Sequence, residues 1–95
     1  MNDSDHAIPR RTVVICNERG LHARAAAKFV KLVERFEADV TVTVKGTGVS
    51  GLSIMGLMML AAGSGTEVEI AATGSDAASV VGELASLIEA GFEED

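Results

Sequence analysis

Gly20-Leu21-His22-Ala23-Arg24 is the stretch of this chain best equipped for chemistry. A histidine stands where a glycine-containing loop, Asn17 to Leu21, gives way to a helical pattern, and an arginine follows two residues later. From Ala23 the apolar residues fall at Ala26, Phe29, Val30, Val33 and Phe36, the rhythm of a helix with one buried face. His22 is therefore expected at or near the N-cap, beside backbone N–H groups without intrahelical partners and at the positive end of the helix dipole. An imidazole there can cap the helix and do nothing more. Arg24 shifts the balance, because a cation in the first turn opposes the dipole, whereas a purely structural helix start favours Asp or Glu. Cations at an end that already attracts anions describe a site for a negative guest, phosphate above all. The helix end also disfavours imidazolium, keeping a neutral ring available as a nucleophile.

The second informative stretch is Ser53-Ile54-Met55-Gly56-Leu57-Met58-Met59-Leu60. A helix of about two turns cannot face every large side chain inward, so part of Ile54, Met55, Met58 and Met59 is expected at the surface, with Leu57 and Leu60 in the core. Methionine is flexible and polarizable, which suits a docking patch for differently shaped partners. The alternative is a fully buried helix. Ser53 reads as an ordinary N-cap that would also tolerate a phosphate.

Composition sets the limits on what positions these residues. The chain has 95 residues, room for one domain, and buries roughly 60–65% of its unfolded surface on the usual size scaling. Apolar residues make up 47% but aromatics only 3%, so the core must be aliphatic and thin. A net charge of −6 argues against nucleic-acid binding. No apolar run is long enough for a bilayer, and the first residues lack the pattern of a signal peptide, so the protein is expected to be cytoplasmic and without membrane insertion; it is also expected to be a monomer. One cysteine, Cys16, forms no internal disulfide and reads as a small strand residue. His6, His22 and Cys16 are too scattered for a metal site, and no cofactor is implied.

Along the chain, residues 1–10 read as a flexible lead, 11–91 as the folded domain and 92–95 as an acidic tail, of which Glu93-Glu94-Asp95 is expected to be frayed and solvated. Arg11 to Cys16 is a β-branched strand with Val13 and Ile15 on one face. A helix from Ala23 to about Phe36 follows. Val40, Val42 and Val44 then alternate with polar residues, and Gly46-Thr47-Gly48 turns into a very short strand at Val49-Ser50. A helix from Ile54 to about Ala61 ends at Gly63. Glu67 to Thr73 is a strand, and Asp76 caps a last helix from Ala77 to about Ala90, apolar at Ala77, Val80, Val81, Leu84, Leu87 and Ile88. Strands with one apolar face, interleaved with helices, predict an α+β open-faced two-layer sandwich: a four-stranded antiparallel sheet with three helices on one face.

Gly20-Leu21-His22-Ala23-Arg24 together with Ser53-Ile54-Met55-Gly56-Leu57-Met58 resembles HPr, the histidine phosphocarrier of the bacterial phosphoenolpyruvate-dependent phosphotransferase system. The likeness covers about residues 11–91, including the spacing between the two motifs. It implies a non-enzymatic carrier in which His22 is phosphorylated on Nδ1 by enzyme I and passes the group to EIIA-type domains. It further implies that Arg24 contacts the phosphoryl group and that Ser53 is the target of an HPr kinase/phosphorylase. The implied partner-binding surface comprises Ile54, Met55 and Met58, with Leu21 and Ala23 beside the histidine. Two residues depart from the family pattern: Ala25 replaces a usual proline, and Leu52 replaces an often polar or basic residue before the serine. Readings outside the carrier role are a non-covalent binder of a phosphorylated metabolite and an adaptor acting through its patch alone. Within the family, a nitrogen-regulatory paralogue is the alternative to a sugar-uptake carrier.

Overall fold

A computed structural model describes residues 8–94. The elements run β1 (Arg10–Val14), α1 (Ala23–Val33), β2 (Asp39–Val44), β3 (Thr47–Ser50), α2 (Ile54–Met59), β4 (Glu67–Thr73) and α3 (Ala77–Glu89), followed by a 3-10 turn at Gly91–Glu93. The four strands form one antiparallel sheet in the order β1-β4-β2-β3, so the last strand inserts between the first two. Alternation decides the faces. Val13, Ile15, Val40, Val42, Val44, Val68, Ile70 and Ala72 are all buried, whereas Thr41, Glu67 and Thr73 are exposed. The helices cover the apolar face, with Phe29, Val33, Leu57, Val80, Leu84 and Ile88 packed at 1% exposure or less. This is the open-faced sandwich expected from the strand pattern. Among the described residues, no helix is long and apolar enough to cross a membrane.

Several boundaries differ from expectation, each for a local reason. β1 starts at Arg10 and the Pro9 carbonyl accepts from the Ala72 N–H, so residues 8–10 lie along the sheet; residues 1–7, and His6 with them, fall outside the described residues. α1 ends at Val33, and Phe36 continues the apolar rhythm from a turn in which its N–H reaches the Val33 carbonyl. β3 is longer than expected. α2 stops at Met59, and the left-handed residue that follows is Ala61 (φ 53°), not Gly63. Leu60 is only half-buried. In α3, Ala85 joins the buried face while Leu87 is half-buried. Asp76 makes no side-chain cap; its Oδ2 instead accepts from the Glu37 N–H at 2.7 Å, tying the entry of α3 to the turn before β2. Cys16 lies past the end of β1, exposed, and its thiol faces the Ile88 and Glu89 carbonyls at 3.4 and 3.5 Å.

The largest correction concerns the acidic end. Gly91 adopts φ +64° just beyond α3, the left-handed glycine that commonly terminates a helix, and the next residue, Phe92, is completely buried. Phe92 and Glu93 are left-handed as well, at φ 56° and 62°. Two non-glycine residues in that region cost about 1–2 kcal/mol each, offset by full burial of an aromatic ring worth about 2–3 kcal/mol. Lys28 Nζ secures the turn by donating to the Phe92 carbonyl at 2.6 Å. The acidic residues that follow are therefore held in place at least as far as Glu94; Asp95 lies outside the described residues.

Candidate functional site

The loop before α1 is clamped by backbone hydrogen bonds to the segment between α2 and β4. Ile15 N–H donates to Thr66 O, Gly65 N–H to Ile15 O and Leu21 N–H to Ala62 O, at 2.7–2.9 Å. Gly20 (φ +68°) permits that approach: a Cβ there would lie 2.4 Å from Ala62 O. The clamp delivers His22 to the N-cap of α1 in extended conformation, as the sequence rhythm predicts.

The two nitrogens of the His22 ring face different partners. Nδ1 accepts from the Arg24 backbone N–H at 3.2 Å, so its lone pair is turned toward the helix start. The N–H groups of Ala23, Arg24 and Ala25 precede the first intrahelical donor, Ala26, which bonds to His22 O. The first turn carries no acidic residue. Nε2 faces Oε2 of Glu94, with both side chains largely enclosed, at 16% and 21% exposure. An unprotonated Nδ1 and a protonated Nε2 satisfy both contacts at once. Such a ring presents a nucleophilic nitrogen to an electrophile whose charged oxygens meet backbone donors on arrival.

Asn17 completes the constellation. It is 7% exposed, and its Nδ2 donates to Gly20 O at 2.9 Å and to Glu94 Oε1 at 3.0 Å. Among the described residues its Oδ1 is buried without a partner, a desolvation cost of about 1–3 kcal/mol that this orientation carries. The His22 ring, then the Asn17 amide, hold the Glu94 carboxyl below the usual carboxylate range against a smaller desolvation effect, with the Arg19 charge adding to the lowering. A shallow depression bordered by Arg19, Leu21, His22, Ala61, Ala62 and Gly63 opens beside the ring.

The other expected residues divide. Arg24 is exposed, and its backbone rather than its guanidinium reaches His22. Ala23 is exposed beside the ring, whereas Leu21 is only 7% exposed and packs in the core, reaching the surface no further than the edge of that depression. Ser53 caps α2 by accepting from Gly56 N–H at 2.8 Å. Of the α2 residues only Leu57 is fully buried, while Ile54, Met55, Met58 and Met59 are 39%, 69%, 41% and 79% exposed, with Leu52 beside them at 52%. Asn17, Arg19 and Glu94 were missed as site residues. The available signal was Ala90-Gly91-Phe92, a helix stop followed by one of only three Phe residues, which predicts an anchored chain end rather than a frayed one. Among the described residues, no three His, Cys, Asp or Glu side chains gather as metal ligands.

Residues 9–90 match the protein family described as the PTS HPr component phosphorylation site. The chain is 44% identical over 85 residues to the phosphocarrier protein HPr of Neisseria meningitidis (serogroup A), covering 90% of this chain and 96% of that one. It is 38% identical over 84 residues to the phosphocarrier protein NPr of Shewanella violacea, covering 88% and 92%. The crystal structure of HPr-C-His from Thermoanaerobacter tengcongensis superposes with a TM-score of 0.88 at 36% identity, covering 93% of this chain and 99% of the other. An open-faced sandwich with a histidine at the start of its first helix, and likeness to these proteins over nearly its whole length, place the chain in the HPr family of phosphocarrier proteins of the phosphotransferase system.

Proposed function

We propose that His22 accepts a phosphoryl group on Nδ1 from phosphorylated enzyme I and passes it to EIIA-type acceptors in the cytoplasm, the protein acting as a monomeric carrier and not as an enzyme in its own right. The observation that carries this reading is the orientation of Nδ1 toward the Arg24 N–H at the open end of α1. The N–H groups of the first turn would receive the phosphoryl oxygens, and the flexible Arg24 guanidinium would add charge-assisted donors. A phosphoramidate must be held without becoming too stable to pass on. Solvent-facing donors at a helix end stabilise an anion by only about 0.3–2 kcal/mol, which keeps the group transferable. Enzyme I and the acceptor supply the remaining positioning groups.

The exposed face of Ile54, Met55 and Met58, with Ala23 beside the histidine, is the docking surface in this reading. Phosphorylation of Ser53 by an HPr kinase/phosphorylase would add roughly −1.5 to −2 charge next to that surface and oppose any partner that must bury it. The carrier is distinguished from a non-covalent metabolite binder by incubation with enzyme I and labelled phosphoenolpyruvate. The native protein takes up label that is lost in mild acid and resists base; His22→Ala takes up none. Label on His22→Ala removes the proposal. The relative rates with sugar-branch and nitrogen-branch enzyme I assign the branch.

A further inference from the structure

We infer that Glu94, held by the left-handed turn after α3, is a positioning residue that fixes the protonation pattern of the His22 ring. Three features combine. The Glu94 carboxylate is shared between His22 Nε2 and Asn17 Nδ2, so its direction is fixed from two sides. Asn17 is 7% exposed and also bound to Gly20 O, which joins this carboxylate to the loop that carries the histidine. The segment delivering Glu94 holds two left-handed non-glycine residues, anchored by buried Phe92 and by the Lys28–Phe92 hydrogen bond. Strain of that kind persists only where the surroundings over-determine it. An ordinary surface ion pair contributes little, but here the imidazole and carboxylate are 16% and 21% exposed, and the partner of one decides the chemistry of the other.

The consequence is a ring with its proton on Nε2 and its lone pair on Nδ1. In the transfer step that lone pair forms the N–P bond while the donor's bond to phosphorus breaks and its electron pair stays with the donor. The Nε2 proton stays in place. The ring becomes cationic beside the carboxylate and returns to neutral when the acceptor takes the phosphoryl group. Glu94 thus selects the nucleophilic nitrogen and faces the charge that develops as it reacts.

The kinetic arm of the test rests on the proposed carrier role; the spectroscopic arm does not, so the two can fail separately. Long-range 1H–15N spectra of 15N-histidine-labelled protein at alkaline pH should show His22 overwhelmingly in the Nε2–H form. Glu94→Ala should shift it to a mixture of both tautomers. With phosphorylated enzyme I, Glu94→Ala should lower kcat about tenfold, the effect of one lost charge-assisted hydrogen bond, with KM within about twofold. Glu93→Gln, an equal charge change on the neighbouring exposed side chain, should match the native protein in both readouts. Circular dichroism confirms that each variant is folded. A native tautomer ratio in Glu94→Ala overturns the inference. So does a shifted ratio with native kcat, and so does a change confined to KM, which would make Glu94 a docking residue.

Discussion

Replacing Phe92 with alanine should cost this protein more than its position in a short turn beyond the last helix suggests. The ring is completely buried, and a buried Phe→Ala change costs about 3–5 kcal/mol in a closed core. Here the segment can relax afterwards, recovering the left-handed strain of one of the two residues Phe92 and Glu93, about 1–2 kcal/mol, so the net loss is about 2–3 kcal/mol. For a domain of this size each kcal/mol moves the melting temperature by about 4–8 °C, which gives a drop of about 10–20 °C. Urea unfolding and thermal melts measure it. Release of the turn also frees Glu94, so the His22 tautomer should shift in Phe92→Ala as it does in Glu94→Ala. A melting temperature within about 4 °C of native, with an unchanged His22 spectrum, would show that the chain end is loosely attached.

Gly20→Ala places a Cβ 2.4 Å from Ala62 O at φ +68°, and should lose about 2–3 kcal/mol and displace the His22 loop, seen in urea unfolding and in the amide shifts of residues 20–24. Ser53→Ala should lose about 1 kcal/mol with the cap to Gly56 N–H and leave His22 labelling intact, whereas Ser53→Asp should raise KM for enzyme I. The Glu94 carboxyl is held below its ordinary value of 4.5, so its contribution to stability is fully present above that pH and disappears as pH falls through the lower folded value. The stability difference between native protein and Glu94→Gln should therefore be constant above about pH 4.5 and shrink as pH falls below it; a difference that does not shrink on acidification would contradict the pairing.

How much was legible depended on whether the cause was local. β4 runs over Glu67–Thr73 as expected, because strict alternation ends at Gly74, whose φ of +112° lets the chain turn tightly against Glu37 O. α1 begins at Ala23 because the apolar rhythm and the capping position coincide. Local signals failed where a distant group competed. Asp76 has the type of an N-cap, yet Glu37 N–H, 39 residues away, takes its carboxylate. Leu21 reads as a neighbour of the histidine, yet the clamp to Ala62 turns it inward. Glu94 and Asn17 lie 77 residues apart, and the packing of Phe92 together with the Lys28–Phe92 hydrogen bond brings them to one ring. The expectation of a solvated end at Glu93-Glu94-Asp95 rested on charge and gave no weight to Phe92 just before it.

In the proposed carrier role, the nitrogen facing the start of α1 carries the phosphoryl group. Phosphorylating 15N-labelled protein with enzyme I and phosphoenolpyruvate, then recording 31P–15N couplings, tests it directly. A single coupling to His22 Nδ1, with the amide signals of Ala23, Arg24 and Ala25 displaced, is the predicted result. Phosphorus coupled to Nε2, or attached at any other residue, would contradict it.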